Sequence, residues 1–428
     1  MHTVNTAEKP LRLALVFGGR SGEHEVSVVS ARSVAGALDA DRYLVVPMAI
    51  ARDGRWTDPD TARRVLEGSG DRTDKVARFD GSHRLDPRLL DGSIDVERPI
   101  LHGPSGDDGT IQGMLELLDL PYVGCDVTSS AVCMDKILSK RLLRESGLAT
   151  PQWREVDRHR WDTDRSRLRD LCLELGLPLF VKPARLGSSV GVSKVSQESA
   201  LDGAIESALG HDQQAIVEQG LDAREIEVAV LGDTDPRASV PGEIVPGHEF
   251  YDYEDKYLDD SCQLLAPAPL DESQSEAARA LAVRAFRSLG CDGMARVDLF
   301  LERASGRLSI NEANTIPGFT SVSMYPKLWA LSGLPYARLL DELVRLGVER
   351  HARKKELSPP TPPPGGLGGG GVWGPPTHGP RCPDPVPRAP CPGARTPGVR
   401  RGPTRGFVPR PGWGTPGQHI RTAARGEA

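Results

Sequence analysis

The opening of the chain constrains its fold most. Residues 11–17 are a short apolar run that ends in Gly18-Gly19; a helix-like stretch follows over about 23–38, and a second apolar run occupies 43–50. Strand, glycine turn, helix and strand in that order predict a parallel sheet, because parallel neighbours need a crossover and a helix supplies one. Pro47 counts against the second strand, since it has no N–H for a ladder. Residues 53–95 are charged and weakly periodic, which reads as surface structure. Residues 99–101 are short and apolar, 111–118 resume helical spacing, and 121–124 read as another short strand.

At about 100–200 residues per domain, 428 residues make roughly two to four domains. A second unit starts near Ser130, where 131–146 have helical spacing and stop at Gly147. Residues 179–183 read as a strand running into Gly187-Ser188-Ser189-Val190-Gly191. Residues 215–218 and 225–231 are strand-like, with Glu227 interrupting the second run. Over 272–289, Ala278, Leu281, Ala282, Ala285, Phe286 and Leu289 form one helical stripe, and Gly290 stands where a C-terminal cap is expected. Residues 294–301 and 308–314 read as two strands about a turn at Ser305-Gly306, and 334–348 as a final amphipathic helix. From about Ser358 the composition changes. That segment holds half of the 36 prolines and about a third of the 46 glycines, so it cannot bury enough apolar surface to offset its chain entropy, and disorder is expected over 357–428.

Several function classes fall away. A formal charge of -6 is mild and does not argue for nucleic acid or an anionic membrane as partner, and neither is expected. No run approaches the roughly 18 apolar residues of a membrane span, and residues 1–10 lack a secretory pattern. Seven dispersed cysteines without a CxxC pair read as reduced packing thiols, which places the chain in the cytoplasm.

The strongest chemical signal is the expected hairpin over 294–314. Residues two apart on a strand share a face, so Arg296 and Asp298 point together, as do Glu312 and Asn314. Paired strands would gather two carboxylates, an amide oxygen and a guanidinium on one surface. Such oxygens suit a hard cation such as Mg²⁺, and the guanidinium suits a transferring phosphate or an oxyanion. Taken alone, an exposed polar sheet face is an equal reading. Lys182 running into the glycine-serine turn at 187–191 could cradle phosphate, although it is not a P-loop and a plain surface turn competes. Glu23 and Glu25, in the first turn after Gly18-Gly19, suit an amine better than a phosphate; matching the helix dipole is the bland alternative. The aromatic, charged stretch 250–257 could be a lid over a polar ligand or an ordinary surface loop.

The order and wording of these signals are specific where each alone is not. Over residues 11–348 the chain resembles D-alanine–D-alanine ligases of the ATP-grasp superfamily. The motifs are FGGRSGEHEVSVVSA (17–31), LHGPSGDDGTIQGMLELLDLPYVG (101–124), MDK (134–136), VKPARLGSSVGVSKV (181–195), FYDYEDKYL (250–258), ARVDLF (295–300) and NEANTIPGFTSVS (311–323). The resemblance implies an α/β fold: an N-terminal Rossmann-like substrate domain over 1–130, then a two-part ATP-grasp fold over 131–220 and 221–356. It implies ligation of two D-alanines through a D-alanyl phosphate at the expense of ATP, for peptidoglycan precursor synthesis, and a homodimer.

The resemblance also assigns roles. Glu23 would hold the ammonium of the first D-alanine and be linked to Ser188 and Tyr257, with His102 near that substrate. Lys136, Lys182 and Ser189 would contact ATP, and Lys256 the transferring phosphate. Glu218 would take the adenine side and Glu225 the ribose. Asp298, Glu312 and Asn314 would bind two Mg²⁺, for which Mn²⁺ could substitute. Arg296 and the Gly318 N–H would stabilise the tetrahedral intermediate, while Ser323 and the Met324 backbone would hold the second carboxylate. Asp107 departs from the Glu usual in the family, and the stretch beyond Ser358 has no counterpart there. Rival readings are a D-alanine–D-lactate or D-alanine–D-serine ligase, against which Tyr257 speaks, and a non-catalytic ATP-binding protein on the same fold, which would be expected to have lost a metal ligand or Arg296.

Overall fold

The structure is a computed structural model and describes residues 9–68, 76, 78–245, 263–320 and 323–357. β1 (Leu11–Gly18) pairs in parallel with β2 (Tyr43–Ile50) on one side and β3 (Val96–Ile100) on the other. The crossover between β1 and β2 is α1 (His24–Ala37). Gly18 makes the turn feasible: its φ is +92°, and a Cβ there would lie 2.2 Å from the Ile50 carbonyl oxygen. Pro47 is accommodated within β2, opposite Leu15. β2 pairs on one side only in this sheet, so the missing donor falls on an edge. Residues 53–95 contain more order than their weak periodicity predicts. α2 (Pro59–Glu67) lies there, started by the Asp58 carboxylate, which accepts from the Thr61 N–H, and by Pro59 at the first helical position.

The expected strand at 121–124 is a single bridge between Tyr122 and Glu97. It follows α3 (Thr110–Leu117) and leads to α4 (Val127–Met134) and α5 (Lys136–Glu145). The continuous helix expected over 131–146 is broken at Asp135. That residue is extended, and its carboxylate accepts from the N–H groups of Ile137 and Leu138, so it starts a new helix. The break sets Lys136 at the head of α5.

The second sheet is antiparallel. Its order is β4 (Trp153–Asp157), β7 (Gln214–Gln219), β5 (Leu179–Pro183), β6 (Ser193–Val195). α6 (Arg158–Thr163), α7 (Arg165–Leu173) and α8 (Leu201–Leu209) cover it over a core of Trp161, Leu168, Val181, Ile205 and Val217.

The third sheet is the longest. β8 (Ala223–Gly232) and β12 (Gly293–Glu302) run antiparallel at its centre. β13 (Leu308–Asn314) flanks β12, and β10 (Gly242–Val245) and β11 (Gln263–Leu265) extend beyond β8, which also pairs with β9 (Arg237–Ala238). Strand alternation divides its side chains between two cores. Val228, Val230, Ala295, Val297 and Leu299 face Ala278, Ala282, Ala285 and Phe286 of α9 (Glu272–Ser288), a helix opened by a capping box at Asp271 and Gln274. Ala229, Leu231 and Met294 instead join the N-terminal sheet, α10 (Met324–Leu331) and α11 (Tyr336–Glu356) in one continuous core. The second of these is the amphipathic helix expected over 334–348, which runs on to Glu356, and the first was not expected.

Cys125, Cys133, Cys172 and Cys291 are buried free thiols, as a packing role requires. Among the described residues no helix is long and apolar enough to cross a membrane. The stretches 250–257 and 358–428 lie outside the described residues.

Candidate active site

A cleft of about 960 Å³ opens where the two larger sheets meet the N-terminal turns. One wall is the β12–β13 hairpin. Its register sets Arg296 opposite Asn314 and Asp298 opposite Glu312, so four functional groups share one face as the two-residue spacing predicts. The intervening residues Val297 and Ala313 point the other way, into the α9 core. Arg296 donates from Nε and Nη2 to the two oxygens of Asp298, at 2.7 Å each. Its Nε is also 3.1 Å from Glu227 on β8. The Asn314 amide donates to Asp298 Oδ2 at 2.8 Å, which turns its own oxygen away from that carboxylate. The sequence showed Glu227 only as an interruption in an apolar strand. Its function as the outer partner of Arg296 depends on β8 lying beside β12, which no spacing reveals.

This face presents two carboxylates and an amide oxygen, all hard donors. Among the described residues no three His, Cys, Asp or Glu side chains are grouped to hold a metal on their own. The set therefore fits an ion that completes its shell with substrate oxygens and water, the habit of Mg²⁺ at phosphates.

Opposite the hairpin, Glu23 ends the glycine turn at the head of α1. A Cβ on Gly103 would meet its Oε2 at 3.1 Å, and one on Gly187 at 3.4 Å, so the carboxylate lies between the 102–109 loop and the 187–191 turn. Ser188 and Ser189 both hold positive φ, 52° and 58°. Side chains rarely adopt that conformation, so these consecutive residues make a strained turn on the border of the cleft. Ser188 Oγ is buried and has no hydrogen-bond partner among the described residues.

His102 is buried beside Glu23. Its Nδ1 lies 2.9 Å from the Ile316 carbonyl oxygen, an acceptor only, so Nδ1 carries the proton. Burial lowers the imidazole pKa, with partial opposition from Glu23, and leaves the ring neutral. Nε2 then stands as an unprotonated acceptor with no partner among the described residues. Asp107, on the same loop, is pushed well above the usual carboxylate range by burial and by Glu23.

At the other end of the hairpin, the loop 315–320 leads into α10. A Cβ on Gly318 would sit 3.0 Å from Ser323 Oγ, so a side chain there would crowd that hydroxyl. Ser323 is the N-cap residue of α10, and its Oγ accepts from the Thr320 N–H at 3.0 Å. With Met324 at the first helical position, this end offers N–H groups and a helix dipole to a carboxylate.

The deep end holds three lysines. Lys136 Nζ donates to the Leu186 carbonyl at 2.6 Å, which ties α5 to the serine turn. Lys182 Nζ is 2.8 Å from Glu218 Oε2, and Lys140 Nζ is 2.9 Å from Glu218 Oε1. Burial would raise the Glu218 carboxyl, but the two lysines outweigh it and bring it down to about 2. Burial would equally lower Lys182, yet Glu218 and Glu312 raise it; Lys140 is lowered, burial outweighing Glu218. Glu225 lines the same cleft. Lys140 was missed in the sequence, although its place one helical turn after Lys136 set both on one face of α5.

The expected site residues that the structure describes therefore border a common cleft. Tyr257 and Lys256 lie outside the described residues.

Comparison with known proteins agrees along nearly the whole described chain. Residues 12–125 match the family model for the D-ala D-ala ligase N-terminus, and 142–345 match that for the C-terminus. The chain is 46% identical to a D-alanine–D-alanine ligase of Thermoanaerobacter sp. (strain X514), covering 80% of this chain and 98% of that one. It is 45% identical to one from Solibacter usitatus (strain Ellin6076), covering 81% and 98%. Among solved structures it is similar to the D-alanine-D-alanine ligase from Coxiella burnetii, with TM-score 0.67, 36% identity, and coverage of 81% and 96%. It is also similar to the VanG D-Ala:D-Ser ligase from Enterococcus faecalis, with TM-score 0.68, 34% identity, and coverage of 79% and 100%.

Proposed function

The chain belongs to the D-alanine–D-alanine ligase family of ATP-dependent ligases, and from that premise we propose that its cleft joins two D-alanines through an acyl phosphate. The single observation that supports the reading best is the hairpin register, which gathers Arg296, Asp298, Glu312 and Asn314 on one face.

A carboxylate oxygen of the first D-alanine attacks the γ-phosphorus of ATP, and ADP leaves. The amine of the second D-alanine then attacks the acyl carbon. The C–O bond to phosphate breaks, phosphate departs, and the amine loses a proton as the peptide bond forms. Glu23 binds the first ammonium, and neutral His102 offers its Nε2 lone pair beside it. Ser188 joins Glu23 to the phosphate turn, with Tyr257 as the third member. Lys136, Lys182, Ser189 and Lys256 bind phosphates, Glu218 the adenine and Glu225 the ribose. Asp298, Glu312 and Asn314 would hold two Mg²⁺, replaceable by Mn²⁺, and bound there the ions would supply positive charge against that gathered in phosphoryl transfer. Arg296 and the Gly318 N–H take the oxyanion of the tetrahedral intermediate. Ser323 and the Met324 N–H hold the second carboxylate. An acyl phosphate hydrolyses readily, so the site must exclude water, and 251–257 is the segment assigned to that task.

The product feeds peptidoglycan precursor synthesis. The proposal extends to three domains over 1–130, 131–220 and 221–356, to a homodimer, and to a cytoplasmic enzyme without nucleic acid or membrane partner. Its test is phosphate release from ATP and Mg²⁺ by the full chain with D-alanine, L-alanine or no amino acid. Release with D-alanine alone, accompanied by dipeptide, is expected. Release independent of D-alanine, or none, would sink the ligase reading in favour of a nucleotide-binding protein.

A further inference from the structure

Two lysines meet one buried carboxylate from opposite sides, and only one of them can reach a ligand. Lys182 pairs with Glu218 Oε2 and keeps 14% of its side chain exposed to the cleft. Lys140 pairs with Glu218 Oε1, is 1% exposed, and has its Nζ 3.2 Å from the Asn311 carbonyl oxygen, to which it donates. Strand register explains the arrangement. Phe180 lies directly opposite Glu218 and Lys182 opposite Ile216, so Phe180, Lys182 and Glu218 share one face of the β5–β7 pair. Pro178, Phe180, Leu221 and Leu299 line the cleft beside that face. An apolar slot with a buried carboxylate suits a flat base carrying an exocyclic amine.

When a triphosphate enters, it competes with Glu218 for Lys182. Without a second cation, Glu218 would then be a buried, unpaired carboxylate, which is costly, and it would resist the release of Lys182. Lys140 removes that obstacle, because it is too deep to follow the phosphate.

We propose that Lys140 is a positioning residue for nucleotide recognition: it holds Glu218 in place as Lys182 leaves for the triphosphate, so that the vacated Glu218 oxygen accepts from the 6-amino group of adenine. The assignment rests on the reading of the cleft as an ATP site. It predicts discrimination against inosine nucleotides, whose 6-carbonyl oxygen would face the carboxylate.

The test is calorimetric titration of the full-length chain and its Lys140→Met variant with non-hydrolysable ATP and ITP analogues, in Mg²⁺ and without D-alanine. The wild-type chain is expected to prefer the adenine analogue by about tenfold or more, the scale of one hydrogen bond to a charged group. Lys140→Met is expected to lose most of that ratio, with the larger loss on the adenine analogue. A merely structural role would weaken both analogues alike and keep the ratio, which overturns the proposal, as does a wild-type chain that binds both equally. Should Lys140→Met fold poorly, the double variant Lys140→Met/Glu218→Gln removes both buried charges together. It is expected to bind the adenine analogue no more weakly than Glu218→Gln alone, and a further loss overturns the assignment. D-alanine-dependent phosphate release, measured in parallel on the wild-type chain, separates the two readings: its absence beside intact base discrimination would sink the ligase and leave Lys140 standing.

Discussion

The β12–β13 hairpin and the Lys140–Glu218–Lys182 cluster both concentrate charge on sheet faces, and they do so in opposite ways. The hairpin draws its groups from neighbours two apart on adjacent strands, part-buried along the cleft wall, with Arg296 bridging Asp298 and Glu227. The cluster draws its groups from α5, β5 and β7, 78 residues apart at the extremes (218 − 140), and buries them. A cross-paired face that lines the cleft can exchange its partners for a metal and a reacting phosphate without stranding a charge. A buried carboxylate cannot lose its last cation without leaving charge in low dielectric, so Glu218 can release Lys182 only while Lys140 stays. The first arrangement suits chemistry, the second suits holding a cofactor-sized ligand in a fixed pose.

Substitutions can break this contrast. The largest effect is expected for Glu312→Gln. It keeps the shape of the hairpin face and removes one of two carboxylates facing the phosphates, so turnover at ordinary Mg²⁺ should be nearly abolished, with a partial return at high Mg²⁺ or Mn²⁺. Near-normal kcat would contradict the metal assignment. Arg296→Met comes next, with a fall in kcat of about 10²–10³, the range for removal of one oxyanion donor. A change in KM for ATP with kcat intact would move Arg296 out of the reacting centre. Lys140→Met stands lowest, its loss confined to nucleotide binding and base choice while the hairpin chemistry stays in place.

The same contrast explains what was legible in the sequence. Alternation over 294–314 was enough to assign the hairpin face, because its contacts are local and a strand has a period of two. The acidic first turn after Gly18-Gly19 was visible too, since its residues are neighbours in sequence, although the helix dipole offered a bland reading of it. Lys140 and Glu227 were not, since their partners are supplied by strands that no local pattern pairs with them. The helix drawn over 131–146 failed at Asp135, where a side-chain cap outweighed continuous apolar spacing. The strand drawn over 121–124 shrank to one bridge, because four apolar-leaning residues state no pairing partner. The family resemblance supplied roles that spacing alone left open, including Ser323 and Met324 at the head of α10, and it reached Lys256 and Tyr257, which lie outside the described residues.

The central claim is that the cleft activates a carboxylate as its phosphate before the amine arrives. Labelling the D-alanine carboxylate with ¹⁸O tests it directly. The oxygen that attacks phosphorus stays with phosphate when the C–O bond breaks, so the account predicts one ¹⁸O in the phosphate released with each dipeptide. Released phosphate free of the label would contradict it.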